Sequence, residues 1–184
     1  LSEPNFFEDD ALQEPVRSIR NSKYGYVNAD DVQVSYSSLQ HYISDLASLV
    51  QSGILSEEKE FFGSVRLRGG QRVADLEDHG IQYIELRNID LNPYERNGMS
   101  EEQVQFLHLF LLYLLWKDEG DHRDEWVQSG DTYNEIVALE HPLARTSFAD
   151  DAQKILDEME QFAESLEVPV SDRLWVHHRE MLMD

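Results

Sequence analysis

Residues 83–94, YIELRNIDLNPY, decide the fold of this chain. Apolar and polar side chains alternate through this segment, and the alternation predicts a β-strand over residues 81–91. Because successive side chains of a strand point to opposite faces, the polar face of this strand carries Tyr83, Glu85 and Arg87. A carboxylate and a guanidinium in the middle of an otherwise apolar strand therefore need an explanation.

A second strand is predicted upstream, at residues 60–68, EFFGSVRLR. Its polar face carries Arg66 and Arg68, with the ring of Phe62 beside them. If the two strands pair in register, their polar faces lie on the same side of one sheet. The sequence then places three arginines around the single carboxylate of Glu85.

Helices fill the rest of the chain, because apolar residues recur there at helical spacing. They are predicted over residues 37–51, 71–78, 100–117, 125–137, 148–166 and 171–183. Ser100 and Gln103 form a capping-box pattern at the start of the apolar helix 100–117. That helix is apolar nearly all round, so we expect it to be buried on most sides, with His108 as a core histidine. The predicted class is α+β, an antiparallel sheet of at least two strands followed by a helical C-terminal half.

Composition limits the possible partners. The chain has 184 residues, a net charge of −22 and no cysteine. Such an acidic chain would be repelled by nucleic acid and by an anionic membrane surface. It has no disulfide framework or cysteine-based zinc site, and we expect a cytoplasmic protein without a signal peptide. The first residue is Leu, and we expect the chain to be a piece of a longer protein.

The polar faces of the two strands allow two interpretations. Arginine forks bind phosphates and carboxylates bidentately, and a carboxylate among them can hold Mg²⁺, as in phosphoryl-transfer sites. Alternatively, Glu85 and the arginines are cross-strand ion pairs on a solvated face. The pattern alone favours the ion pairs.

The motif in residues 83–94, with Gly98 shortly after it, resembles the glutamate–cysteine ligase family, also called γ-glutamylcysteine synthetases. Two weaker matches, RNSKYGY at residues 20–26 and EFFGSVR at residues 60–66, occur in the family's order. The resemblance extends roughly over residues 17–117. It is greatest to the bacterial enzymes in which the ligase is fused to a glutathione synthetase, and it implies a glutamine-synthetase-like carboxylate–amine ligase fold.

By this resemblance the whole chain, residues 1–184, is part of a ligase domain. Residues 1–16 would form a linker or lid, residues 17–98 the substrate-binding and strand motifs, and residues 99–184 the helical part. The family reaction uses ATP and Mg²⁺ to join the γ-carboxylate of glutamate to the amine of cysteine through γ-glutamyl phosphate.

The resemblance also implies roles for individual residues. Glu85 would be a Mg²⁺ ligand and Arg87 would contact the transferred phosphate or the acyl group, and these two are the predicted catalytic residues. The predicted binding residues are Arg20 and Tyr26 at the cysteine, Phe62 as an aromatic wall where the family often has Tyr, and Arg66 on the ATP side. Asp90 and Asn92 are expected to shape the turn after the strand.

The other metal ligands of the family lie upstream of anything in this chain, so we expect the chain alone to be inactive. Two alternatives stay open. One is a non-catalytic acidic helical module that binds a partner through its C-terminal helices. The other is a carboxylate–amine ligase that acts on another substrate.

Overall fold

The computed structural model describes residues 12–25, 27–29, 32–118, 120, 123–166 and 172–183. In chain order these residues form α1 (Leu39–Gln51), β1 (Val65–Arg68), α2 (Asp75–His79), β2 (Tyr83–Leu86), α3 (Glu101–Trp116), α4 (Arg123–Leu139), α5 (Ala149–Ser165) and α6 (Asp172–Met183). A short 3-10 helix, Glu58–Glu60, precedes β1. A small antiparallel sheet followed by helices confirms the predicted α+β class.

The described residues divide into two compact units. We call the first the strand unit, and it comprises Ser18–Asp90 and Glu119–Ala138. The second, the helical unit, comprises the described parts of Leu1–Arg17, Leu91–Asp118 and Leu139–Asp184. Each unit has its own cluster of buried apolar side chains and therefore its own core.

The core of the strand unit is built around α1. Ser38 caps this helix, because its side chain accepts a hydrogen bond from the backbone N–H of His41 at 3.1 Å and so satisfies a donor that the first turn leaves unpaired. The helix predicted over residues 37–51 is confirmed, and it begins at Leu39 because Ser38 takes the capping position. The buried side chains of this core are Val32, Tyr42, Ile43, Leu46, Leu49, Leu55, Phe61, Val73 and Leu76.

The two strands pair antiparallel, with Arg66 opposite Glu85. The predicted pairing in register is therefore confirmed, but both strands are shorter than predicted. At the end of the sheet where β1 begins and β2 ends, the last hydrogen bond between the strands joins the N–H of Arg87 to the carbonyl of Ser64 at 2.8 Å. Beyond it, side chains rather than strand partners take the backbone groups, as Asn28 does at Phe62. The ladder ends where these side-chain bonds begin.

Two tyrosines cover the edge of β1 that faces away from β2. The Tyr36 hydroxyl donates to the carbonyl of Val65 at 2.5 Å, and the N–H of Leu67 donates to the Tyr42 hydroxyl at 3.4 Å. Alternate residues of a strand point their backbone groups to opposite edges, which places Val65 and Leu67 on the open edge. Burial raises the pKa of both phenols, which therefore stay neutral at physiological pH. The strand edge is thus satisfied within the strand unit.

The helical unit is built from α3, α5 and α6. At the start of α3 the backbone N–H of Ser100 donates to the side chain of Gln103 at 2.8 Å, and the N–H of Gln103 donates to the Ser100 hydroxyl at 3.2 Å. The predicted capping box is confirmed. Lys117, at the other end of α3, lies 2.7 Å from Glu158 of α5. The buried core residues are Leu109, Tyr113, Leu156, Met159, Phe162, Ala163, Leu174 and Trp175.

The prediction that α3 is buried on most sides is wrong. Only Leu109 and Tyr113 of this helix are buried, because α5 and α6 contact one side of it within the described residues. The opposite side is open, and Leu115 is 85% exposed. His108 is also exposed, so its prediction as a core histidine is wrong as well. No helix in the described part of the chain is long and apolar enough to span a membrane.

Candidate functional site: the arginine face of the sheet

The polar side of the sheet carries three arginines and one glutamate, which we call the arginine face. Arg66 and Arg68 come from β1, Glu85 comes from β2, and Arg87 follows directly after β2. The register places Arg66 opposite Glu85. The hydrogen bond from the Arg87 N–H to the Ser64 carbonyl continues the same pairing just beyond the end of β2, so Arg87 lies on the same face. The strands thus bring together the charged residues that the sequence placed on their polar faces.

Glu85 forms a bidentate ion pair with Arg68. The Arg68 Nε lies 2.9 Å from Oε1 and its Nη2 lies 3.2 Å from Oε2. The hydrogen bonds from Arg68, together with the positive charges of Arg68, Arg66 and Arg87, hold the pKa of the Glu85 carboxyl below its usual range. The structure therefore contains the cross-strand ion pair that the sequence pattern favoured.

This ion pair predicts a pH-dependent effect of Glu85→Gln. The pKa of Glu85 is lowered in the folded chain, so its charge stabilises the fold at neutral pH and this contribution disappears as pH falls through the folded pKa. At pH 7 we expect Glu85→Gln to lower the free energy of unfolding by up to about 1 kcal/mol, since the pair is partly exposed. Urea unfolding at pH 7 and at pH 3 measures this difference, which should shrink at pH 3.

Arg68→Met provides the control for the Glu85 prediction. This variant removes the partner that lowers the Glu85 pKa most. In the Arg68→Met background, Glu85→Gln should then have a smaller pH-dependent effect. An undiminished effect in that background would show that Arg68 is not the partner on which the charge of Glu85 depends.

Arg66 and Arg87 differ from Arg68 because no carboxylate pairs with either of them within the described residues. The Arg66 side chain is only 7% exposed, and its Nη2 donates to the backbone carbonyl of Glu58 at 3.0 Å. The Nη1 atom of Arg87 is buried and has no hydrogen-bond partner among the described residues. Burial and the nearby charges of Arg68 and Arg87 lower the pKa of Arg66. Arg66 is buried and Arg87 is partly buried, and two neighbouring cations that form no direct ion pair make this face suited to an anion.

Phe62 lies against Arg87. The guanidinium carbon of Arg87 is 4.9 Å from the centre of the Phe62 ring, a distance at which the ring attracts the cation. The ring thus forms one wall beside the guanidinium. The predicted roles of Phe62, as an aromatic wall and in substrate binding, stay predictions.

Arg20 contacts the backbone that follows β2. Its guanidinium donates to the carbonyls of Arg87 and, at 3.4 Å, Ile89, and it lies 3.7 Å from the carboxylate of Asp90. These contacts fix Arg20 beside the arginine face, and its predicted binding of a substrate carboxylate stays a prediction. Tyr26, predicted at the cysteine pocket, lies outside the described residues.

Two asparagines at this site had no role in the sequence analysis. Asn21 donates to the carbonyl of Asn88 at 2.9 Å, and Asn28 bonds both backbone groups of Phe62. An asparagine side chain presents a donor and an acceptor in one plane, as a peptide group does. Spacing along the chain carries no signal for either contact, because the partners are 67 and 34 residues away.

A complete Mg²⁺ site is not formed by the described residues. Among them, no group of three or more histidine, aspartate or glutamate side chains is placed to hold a metal ion. Glu85 is the single acidic residue of the two strands, and Arg68 bonds both of its oxygens. Because Mg²⁺ takes a near-octahedral set of oxygen ligands, the predicted role of Glu85 requires further ligands from elsewhere in a longer protein.

Comparisons with known proteins agree on one family. Residues 50–136 match the family model described as "Glutamate-cysteine ligase". The "Glutathione biosynthesis bifunctional protein GshAB" of Enterococcus faecalis is 53% identical over 168 residues, which is 90% of this chain and 22% of that protein. The protein of the same name from Streptococcus agalactiae is 43% identical over 154 residues, 84% of this chain and 20% of that protein.

Solved structures show the same likeness. A bifunctional glutathione synthetase from Pasteurella multocida has a TM-score of 0.85 and 37% identity, covering 98% of this chain and 24% of that chain. The glutamate–cysteine ligase of Francisella tularensis, solved in complex with AMP, has a TM-score of 0.73 at 21% identity, covering 91% of this chain and 41% of that one. The second match concerns the fold alone.

The chain spans about a fifth of the length of the curated relatives that it matches, 22% of the Enterococcus protein and 20% of the Streptococcus protein. The family match covers both strands and the arginine face, and continues through α3. It therefore includes the residues whose geometry is described above. Over residues 50–136, this chain matches the model of the glutamate–cysteine ligase family, and over 84–90% of its length it is similar to bifunctional glutathione biosynthesis proteins.

Proposed function

We propose that this chain supplies an anion-binding face to an ATP-dependent ligase that joins the γ-carboxylate of glutamate to the amine of cysteine, the first step of glutathione biosynthesis. The observation that carries the proposal is the pair of neighbouring guanidinium groups of Arg66 and Arg87, with which no carboxylate forms an ion pair in the described part of the chain. In a chain with a net charge of −22, a cationic face built on a sheet is suited to bind a specific anion.

The proposed reaction explains why such a face is needed. A carboxylate is a poor electrophile, so ATP first transfers its terminal phosphoryl group to the glutamate γ-carboxylate and ADP is released. The cysteine amine then attacks the acyl carbon, the bond to the phosphate oxygen breaks, and inorganic phosphate leaves with the electron pair. Negative charge accumulates where the carboxylate meets the phosphoryl group, and preorganised guanidinium groups stabilise it.

The residues of the arginine face and those beside it are proposed to have separate roles in this reaction. Arg87, which forms no ion pair within the described residues, is proposed to contact the transferred phosphoryl group, and the Phe62 ring limits where its guanidinium can lie. Arg66 adds positive charge for ATP from the neighbouring strand. Arg20 and Tyr26 are proposed to bind the cysteine substrate, by resemblance to the family.

Mg²⁺ is proposed as the metal that accompanies ATP in the full-length protein. It would neutralise phosphate charge there, with Glu85 as one oxygen ligand and the remaining ligands from outside this chain. The ion pair with Arg68 leaves each Glu85 oxygen with further lone pairs. Glu85 can therefore serve as one ligand of a metal, although it cannot organise the site alone.

The proposal predicts different results for the full-length protein and for this chain. With glutamate, cysteine, ATP and Mg²⁺, the full-length protein is expected to form γ-glutamylcysteine, ADP and phosphate. The 184-residue chain alone is expected to form none, because the described residues do not make up a metal site. Mass spectrometry of the peptide product and a coupled ADP assay measure both reactions.

The other outcomes of this experiment identify the alternatives. ATP consumption that depends on a different amine would replace cysteine as the substrate and keep the ligase chemistry. A full-length protein without ATP consumption would favour the interaction module, for which the exposed apolar side of α3 is the supporting observation. Product formed by the chain alone would contradict the requirement for ligands from outside it.

A further inference from the structure

The side chain of Asn28 pairs with the backbone of Phe62 as a neighbouring strand would. Its Nδ2 donates to the Phe62 carbonyl at 2.5 Å, and its Oδ1 accepts from the Phe62 N–H at 2.8 Å. Phe62 lies three residues before β1 begins at Val65. Asn28 therefore replaces the ladder at the point where the ladder stops.

The same stretch of backbone is fixed from a second direction. Phe61 belongs to the buried core of the strand unit. An added Cβ on Gly63 would lie 2.7 Å from the Tyr36 hydroxyl oxygen, so the backbone passes closely against Tyr36 there. The core holds residues 61 and 63, and Asn28 holds the residue between them.

This restraint reaches Arg87 through the Phe62 ring. The ring centre lies 4.9 Å from the Arg87 guanidinium carbon, and the Arg87 backbone is bonded to Ser64 at 2.8 Å. The Phe62 side chain and the Arg87 side chain therefore start from two backbone points that are each fixed. If the Phe62 backbone could rotate, the ring beside the guanidinium would move with it.

We propose that Asn28 is a positioning residue, which fixes the Phe62 ring beside Arg87 and thereby orients the Arg87 guanidinium toward the reacting phosphoryl group. This inference rests on the proposed function, because it assigns Asn28 a role in the same reaction. Within the described residues, the Asn28 side chain bonds the Phe62 backbone and not the Arg87 guanidinium, so its role would be exerted through the Phe62 ring.

The chemistry of the contact requires an amide at position 28. The Phe62 backbone offers one donor and one acceptor, and an asparagine amide matches both in one plane. Aspartate has the same size and still accepts from the N–H, but its second oxygen faces the Phe62 carbonyl and cannot donate. Asn28→Asp thus removes one bond, introduces a repulsion and leaves the volume unchanged.

The test uses the full-length protein and a double-mutant cycle between Asn28 and Arg87. Asn28→Asp is expected to lower kcat about tenfold to a hundredfold, since small displacements of a catalytic group cost that much, while KM for cysteine changes less. Arg87→Lys keeps the charge but loses the planar fork. In the Arg87→Lys background, Asn28→Asp should lower kcat by less than about threefold, because residues that act as a unit are not additive.

Gln103→Ala is the matched control. The Gln103 side-chain oxygen accepts from a backbone N–H at 2.8 Å, the same distance as in the Asn28 contact, but it does so in the helical unit. We expect kcat of this variant within twofold of wild type. A comparable loss of kcat in Gln103→Ala would mean that any lost side-chain-to-backbone bond impairs turnover, and it would overturn the specific role of Asn28.

The outcomes separate this inference from the proposed function. If Arg87→Lys loses turnover but Asn28→Asp does not, the proposed function stands and the role of Asn28 is wrong. If both lose turnover by independent, multiplying factors, Asn28 does not act through Arg87 and the inference is wrong. If Arg87→Lys retains full turnover, the proposed role of Arg87 is wrong, and the role of Asn28 that depends on it is wrong as well.

Phe62→Leu provides a second route if Asn28→Asp does not fold. This variant removes the ring and keeps an apolar side chain and both Asn28 bonds to the backbone. It is expected to lower kcat by a similar factor and to show the same lack of additivity with Arg87→Lys. Full turnover in Phe62→Leu would overturn the inference, because the ring is the link between Asn28 and Arg87.

Discussion

Replacing Arg87 by alanine in the full-length protein is expected to lower kcat at least about a hundredfold, the usual effect of removing one preorganised donor to a transition state. Its Nη1 has no hydrogen-bond partner and no carboxylate pairs with it within the described residues, so its positive charge can act on a substrate anion. The expected loss of stability is small, since the variant removes one contact with the Phe62 ring, worth about 0.5–1 kcal/mol. Steady-state kinetics and thermal unfolding of the same preparation measure both effects.

Arg72→Ala is the control for Arg87→Ala. Arg72 belongs to the same unit, but its side chain is 76% exposed and pairs with Asp75 within one turn. We expect its kcat within twofold of wild type, because exposed ion pairs contribute little. Arg87→Ala with normal turnover and a large loss of stability would contradict the proposal and would make Arg87 a structural residue.

Tyr42→Ala is expected to destabilise the strand unit by about 3–5 kcal/mol, as large aromatic-to-alanine substitutions in a core do. The Tyr42 side chain is 1% exposed and packs against the rings of Tyr36 and Phe61. The substitution leaves a cavity beside the edge of β1 and removes the acceptor of the Leu67 N–H. Hydrogen exchange of the β1 amides in this chain, followed by mass spectrometry, measures the local loss of stability.

Tyr42→Phe isolates the hydroxyl from the ring. It keeps the packing and removes one long hydrogen bond of 3.4 Å, so we expect a loss of only about 0.5–1.5 kcal/mol. Exchange of the Gln103 amide, in the helical unit, should be unchanged in both variants if the two units unfold separately. Equal losses in Tyr42→Ala and Tyr42→Phe would show that the hydrogen bond, and not the ring, supports β1.

Much of the candidate site was predictable from alternation and resemblance. The period of two assigned Arg66, Arg68, Glu85 and Arg87 to one face, and the antiparallel register confirmed that assignment. This succeeded because the side-chain direction in a strand depends only on position along the strand. The family resemblance then identified the same face as part of a ligase, and the match over residues 50–136 supports it.

The partners within that face were not predictable. Glu85 lies opposite Arg66 but pairs with Arg68, because the Arg66 guanidinium donates to the Glu58 carbonyl instead. Glu58 lies in a 3-10 helix that no periodicity identified. Which of the two arginines pairs with Glu85 depends on a third group, the Glu58 carbonyl. The spacing of residues along the sequence does not show where that carbonyl lies.

The prediction that α3 is buried on most sides was wrong for a similar reason. Its apolar sequence predicts that most of its surface can be buried, whereas burial depends on which elements contact it. Within the described residues, α5 and α6 cover the side with Leu109 and Tyr113, and Leu115 on the other side is exposed. Composition determines what a helix can bury, and its neighbours determine what it does bury.

The sequence by itself determined the fold class and the charged residues on the polar face of each strand, because these follow from local periodicity, and the structure supplied the register. Only the tertiary structure decided that Glu85 is held by Arg68, that Arg87 keeps an unpartnered donor beside Phe62, and that Asn28 holds the Phe62 backbone. Those contacts join residues that are between 17 and 34 positions apart. Their geometry is set by packing of the whole strand unit, and no local pattern encodes it.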